Sequence, residues 1–316
     1  MNRDGTLSNI ENKPTTVTIL SGGVGGARFA RGFEAISGVE TCVVVNVGDD
    51  AFTHGLPISP DVDTVLYTLA GLEGPSGWGR SSDTFFTNDE LARFELDNTL
   101  RLGDRDLALK IARLEAFQAG ERLSSFTSRI ATLLGIGTTI IPATDDELRT
   151  EIRLDDGRWL SFQEYFVTRG HRDQVAGVRF VGADTASPAP AVIDSIEAAD
   201  ILMIAPSNPP LSIWPILAIP AVREAVTSHP NTLAVSPLVG GKAVKGPAVE
   251  VMAALGLPDG NQGVLESYAG LIGRLVIHES DAGDQSRLRG VDLVPAETLV
   301  TDPEMSRALA QLIVSL

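Results

Sequence analysis

Between residues 18 and 36 the chain reads TILSGGVGGARFARGFEAI, with Gly22, Gly23, Gly25 and Gly26 crowded between an apolar run and a helical one. Glycines placed there free the backbone for positive φ and let its N–H groups approach an anion at the positive end of the following helix. The spacing is not that of a dinucleotide fingerprint. Counted as G-x-G-x-x-G from Gly23 and Gly25, the third position is Arg28, and the lysine of a P-loop is missing. Arg28 adds a charged fork beside the loop. A tight strand-to-helix turn is the plainer alternative, although four glycines in five positions exceed what a turn requires.

A second group of reactive residues lies in NVGDDAFTHGLPISPDVDT, where Asp49 and Asp50 leave an apolar run and Asp61 and Asp63 precede the helical stretch TVLYTLAG. Four carboxylates so close repel unless they are solvated or bridged by a cation. Hard oxygen ligands of this kind suit Mg²⁺, which takes one or two carboxylates and fills its shell with waters and substrate phosphates. Helix capping by Asp61 or Asp63 is the alternative. His54, beside Gly55, offers a donor or base to a substrate, or else a simple surface turn. His171, His229 and His278 lack metal-ligand spacing.

Two later loops are polar and follow apolar runs. APSNPPLSI carries Ser207 and Asn208, whose hydrogen-bonding groups suit a base edge or ribose, and SPLVGGKAVKGP carries Lys242 and Lys245, which suit phosphate. Loops rich in Gly and Pro are also ordinary turns. Trp78, in SGWGR, can present its ring to a flat substrate or pack on its own loop.

Elements that end in such loops are expected to be short buried strands, at residues 17–20, 41–47, 178–181, 201–204, 232–235 and 275–278, with helices between most of them. That alternation predicts an α/β fold: a doubly wound, mostly parallel Rossmann-like sheet. Residues 1–16 read as a disordered tail, and 17–73 with 173–316 as the nucleotide- and metal-binding core. Residues 74–172 read as an inserted smaller α+β module that covers the sheet's carboxyl edge. Within the module, DRDLALKIARLEAFQAG is helical, and TEIRLDDGRWLSFQEYFV places an Asp-Asp-Gly turn between two runs as a hairpin would. The single cysteine, Cys42, lies in an apolar run and reads as a small core residue.

The 316-residue chain has 41 acidic and 25 basic residues, a formal net charge of −16. Such a charge argues against a nucleic-acid or anionic-membrane surface, so a polyanionic ligand would be held locally by amides, a few cations and a metal ion. No apolar run approaches the ~20 residues of a membrane helix, and the first residues lack a signal peptide's apolar stretch, so a cytoplasmic protein is expected.

Taken in order, SGGVGGARF, NVGDD, HG followed by SPDVDT, GWGR, LGDRDLA, PATDD, FQEYFV, APSNP and SPLVGGKAVKG resemble the 2-phospho-L-lactate transferase family of coenzyme F420 biosynthesis, from about residue 17 to the last helix. The resemblance implies a Mg²⁺-dependent transferase. It would move a phospho-carboxylate unit (2-phospholactate, phosphoenolpyruvate or 3-phosphoglycerate) from a guanosine-diphospho donor to the terminal ribityl hydroxyl of the deazaflavin Fo, releasing GMP. It further implies that Gly22, Gly23, Gly25, Gly26 and Lys245 bind the donor with Ser207 and Asn208, and that Arg28 is catalytic. Asp49 and Asp63 would hold the metal, and Asp50, His54, Gly55, Asp61 and Trp78 would line the acceptor side, in a homodimer. Relatives that bind nucleotide sugars as regulators are one alternative. An NAD-dependent oxidoreductase, with Asp49 or Asp50 on a ribose, is another, and Arg28 at the third glycine position speaks against it.

Overall fold

The computed structural model describes residues 13–286, 288 and 290–316. Seven parallel strands form the central sheet: β1 (Thr15–Ser21), β2 (Val39–Val45), β3 (Thr139–Pro142), β4 (Ile201–Ile204), β5 (Thr232–Val235), β6 (Arg274–His278) and β7 (Asp292–Ala296). Their spatial order is β7-β6-β5-β4-β1-β2-β3. The inner strands are continuous apolar runs, as a sheet covered on both faces requires; Ile19, Val44, Met203, Ala234 and Val276 are fully buried. The chain leaves β1 for β2 on one side and returns to β4 on the other. The crevice between β1 and β4 is therefore a topological switch point, where ligands of open α/β sheets bind. In register, Leu20 stands opposite Ile204, so the segments that follow the two strands emerge side by side.

Five helices matter to the site: α1 (Val24–Glu34), α2 (Pro60–Leu69), α3 (Phe86–Arg93), α4 (Asp104–Gln118) and α5 (Leu123–Leu133). α1 buries Ala27, Ala30 and Phe33 and packs against the C-terminal helix Pro303–Val314. α2 begins at Pro60, a favoured first helical residue, so Asp61 and Asp63 lie within its first turn rather than ahead of it.

Three boundaries differ from expectation. Residues 1–12 of the expected tail lie outside the described residues, while Thr15 and Thr16 already pair with Val39 and Glu40. The strand expected in the parallel sheet at 178–181 belongs to a separate antiparallel sheet, in which Val175–Val181 and Trp159–Ser161 flank Arg149–Leu154. Its half-exposed alternation suits a sheet open on one face. In its place the parallel sheet takes β3 from within the segment 74–172, pairing Val43 with Ile140. That segment is thus not one inserted module: helices α3 to α5 precede β3, and the antiparallel sheet follows it. The expected hairpin does form, turning at Gly157 with φ 87°. FQEYFV continues it not as a strand but as a wide helical turn, Glu164–Thr168. No helix among the described residues is long and apolar enough to cross a membrane.

Candidate functional site

A cavity of about 760 Å³ opens at the switch point, between the glycine loop, the start of α2, the 74–80 loop, the start of α4 and the loops after β4 and β5. None of the four loop glycines has positive φ. Their value is room. A Cβ on Gly25 would lie 2.5 Å from the Pro206 carbonyl oxygen, and one on Gly23 would lie 2.5 Å from Asp61 Oδ1. A Cβ on Gly22 would meet Ser212, and one on Gly26 would meet Ser21 Oγ. The Gly22 N–H donates to Ser207 Oγ at 3.1 Å, which ties this loop to the one after β4. Asn208, expected to read a base or ribose, lines the cavity but uses Oδ1 to accept from Leu211 N–H, capping the turn Pro209–Ile213.

The four carboxylates separate into three environments. Asp49 and Asp61 are buried and line the cavity. Burial first, and then the charge of Asp61, push the Asp49 carboxyl well above its ordinary range. Burial lifts Asp61 to about 6, against a hydrogen bond from Asn46 Nδ2 to Asp61 Oδ2 of 2.9 Å. Asp49 Oδ1 is buried with no hydrogen-bond partner. Asp50 is raised to about 7 by burial; it accepts from Ser59 Oγ at 2.8 Å and is not among the cavity's lining residues.

Asp63, expected beside Asp49 at a metal, has both oxygens engaged. Lys110 Nζ donates to Oδ2 at 2.8 Å, Arg113 donates to both oxygens, and all three side chains are buried. Burial alone would raise its pKa, but Arg113 and then Lys110 outweigh that and hold it below the ordinary range. Lys110 also binds Asp106, which accepts from Tyr67 OH at 2.6 Å. Two acids and two bases thus form a neutral network in the cavity wall, which Asp63, Asp106 and Lys110 line with Arg113 behind them, and Asp61, not Asp63, is the charge acting on Asp49.

His54 and Gly55, expected on the acceptor side, are not among the cavity's lining residues. They form the exposed tip of the hairpin Ala51–Thr53/Leu56–Ile58, with φ of 49° and 77°, the positive-φ pair of a two-residue turn. Arg28 lines the cavity, but its guanidinium is already paired with Glu73 at 2.5 Å. Lys245 belongs to the same wall: its Nζ lies 3.3 Å from the centre of the Trp78 ring, and after the desolvation that lowers its pKa comes the charge of Arg28. Trp78 meets Phe166 edge-on at 6.2 Å, and Phe166 stacks on Phe162 at 5.2 Å, giving the cavity an aromatic wall. Lys242, by contrast, is exposed and absent from the lining. His229 bonds to Ala199 O, and His278 to Ser280 and Glu297.

Several residues of the site were not singled out by sequence. Asp106, Lys110 and Arg113 had a signal: their i, i+4, i+7 spacing on α4 is that of a buried stripe, and it is filled with charges. Phe162, Gln163 and Phe166 lie in FQEYFV, where Gln163 Nε2 donates to Asp49 O at 2.8 Å. Glu73 had no signal, since only the return of the 74–80 loop brings it to Arg28.

The family model described as 2-phospho-L-lactate transferase CofD matches residues 17–311 of the chain. A phosphoenolpyruvate transferase of Nocardia farcinica is 38% identical over 302 residues, covering 91% of this chain and 90% of that protein. A 2-phospho-L-lactate transferase of Methanopyrus kandleri is 39% identical over 299 residues, covering 93% and 95%. Among solved structures, a UPF0052 family member from Bacillus halodurans superposes with a TM-score of 0.64 over 96% of this chain and 99% of its own, at 17% identity, a likeness of fold.

Proposed function

Because the chain belongs to the 2-phospho-L-lactate transferase CofD family and is thereby a transferase, we propose that it moves a phospho-carboxylate unit from a guanosine-diphospho donor to the ribityl hydroxyl of the deazaflavin Fo, releasing GMP. One observation carries the reading: one cavity joins the glycine loop, a buried carboxylate pair and an aromatic wall. The close-packed loop and the start of α1 present backbone N–H groups to a diphosphate. Lys245 and Arg28 add positive charge, and Trp78 with Phe166 suits a flat ring system.

Magnesium fits the acidic side. Asp49 Oδ1 is buried and unpartnered beside Asp61, an arrangement that a bound cation would relieve. No group of three or more His, Cys, Asp or Glu among the described residues forms a metal cage. Two carboxylates that leave the other positions to water and phosphate match the habit of Mg²⁺. When bound there, Mg²⁺ would neutralise charge on the transferring phosphate. The chain's own residues position the reactants. The Fo hydroxyl oxygen forms a bond to the phosphorus that carries the acid, the anhydride P–O bond breaks, GMP departs with its electron pair, and the hydroxyl proton leaves to water. Such a transfer depends chiefly on alignment and charge neutralisation.

The test is to incubate the protein with Fo, Mg²⁺ and guanosine-diphospho donors bearing lactate, enolpyruvate or glycerate, following GMP release and product mass. Stoichiometric GMP and a phosphodiester of Fo are expected with at least one donor. No product with any of them refutes the reading.

A further inference from the structure

Two arginines that line the cavity have no ion pair among the described residues, Arg80 and Arg101, and Arg101 is exposed over the Phe85 ring. Arg28 and Arg31 share Glu73, Lys110 and Arg113 share Asp63, and Lys245 rests on Trp78; the buried Nε atoms of Arg31 and Arg113 belong to guanidiniums already paired with an acid. Arg80 lines the cavity with no ion pair among the described residues, and its Nε is buried without any hydrogen-bond partner. A buried guanidinium nitrogen left unpaired is costly, and natural structures keep one where a ligand or water completes it.

The placement of Arg80 is fixed from two directions. Its backbone is bridged to Glu73 across the neck of the 74–80 loop, supported by Gly74 N–H to Gly79 O at 3.0 Å and Ser81 N–H to Leu72 O at 2.8 Å. The carboxylate across that bridge is already committed to Arg28 and Arg31. Its guanidinium lies 5.5 Å from the centre of the Tyr67 ring, and Tyr67 OH is held by Asp106. Tyr67 and Asp61 are both on α2, six residues apart, about 9 Å along the helix. Arg80 is thus a pre-positioned, uncompensated fork on the same cavity as the Asp49–Asp61 pair. The planar fork of an arginine matches a carboxylate in bidentate fashion.

We propose that Arg80 is a specificity-determining residue that takes the carboxylate of the acid carried by the donor. This rests on the transferase reading, in which every donor bears such a carboxylate beside the transferring phosphorus. The Arg28 and Lys245 side of the cavity then serves the diphosphate, and Arg80 rejects phosphate esters that lack an acid group.

The test uses two probes that differ by that group, 2-phosphoglycolate and ethyl phosphate, with the full-length protein, magnesium chloride and GMP present. Calorimetry is expected to show wild type binding phosphoglycolate about ten- to a hundredfold more tightly, the value of one charge-assisted pair. Arg80→Gln should erase that preference, Arg80→Lys should retain part of it, and both should bind guanosine diphosphate within about twofold of wild type. An equal affinity of wild type for the two probes, a preference that survives in Arg80→Gln, or a parallel loss of guanosine diphosphate binding overturns the assignment. A preference that depends on Arg80 while no donor yields a product from Fo would keep the carboxylate site and refute the transfer reading instead.

Discussion

Asp63→Asn should destabilise the fold, because the side chain it replaces neutralises two buried cations. Asp63, Lys110 and Arg113 side chains are 5%, 4% and 0% exposed, so the small values of surface ion pairs do not apply. Removing one partner of a buried pair leaves an uncompensated charge and costs about 3–5 kcal/mol. For 316 residues, with an unfolding entropy of about 2.1 cal/mol/K per residue, that corresponds to a fall in Tm of roughly 5–8 °C. Calorimetry or circular dichroism on the metal-free protein measures it. A double variant, Asp63→Asn with Lys110→Met, should lose clearly less than the two single losses added, because one unpaired cation is removed with its acid. A wild-type Tm for Asp63→Asn, combined with a raised Mg²⁺ requirement, would refute the network and restore Asp63 as a metal ligand.

Asp49→Asn should raise the Tm of the metal-free protein, since it removes a buried carboxyl that is disfavoured as a charge, while transfer collapses even at high Mg²⁺; a lower Tm, or full turnover, would contradict this. The pH dependence follows from the same groups. Asp49, Asp61 and Asp50 hold protons more tightly folded than unfolded, so between about pH 4 and 7 the native state binds the excess protons and the stability of the metal-free protein falls as pH rises. Asp63 has the opposite sign, its contribution being present above the unfolded carboxylate range and lost in acid. Denaturation across pH should therefore show a maximum on the acid side of neutrality, which added Mg²⁺ shifts upward; a metal-free maximum at pH 8 would refute the burial argument. Gly25→Ala should weaken guanosine diphosphate by about tenfold or more, as its Cβ would lie 2.5 Å from the Pro206 carbonyl and force the two loops apart; unchanged calorimetric affinity would separate the loop from the phosphate site.

The sequence by itself determined the parallel sheet, its glycine turn and the polar loops after β1, β2, β4 and β5, because apolar runs and glycine spacing are local patterns written in consecutive residues. It could not assign partners. Asp63 and Asp61 are two residues apart on one helix and both line the cavity, yet one is neutralised by Lys110 and Arg113, 47 and 50 residues away, and the other is left beside Asp49 without a cation. Arg28 similarly meets Glu73 only because a loop folds back, and His54 is missing from the cavity lining because it sits at the exposed tip of a hairpin. Strand ownership was ambiguous for the same reason, since the short runs at 139–142 and 175–181 look alike until the sheets form around them. Local sequence specifies an element and its chemistry. Which charge is neutralised and which is left for a ligand is a property of long-range packing, where burial makes each unpaired group costly enough to select its partner.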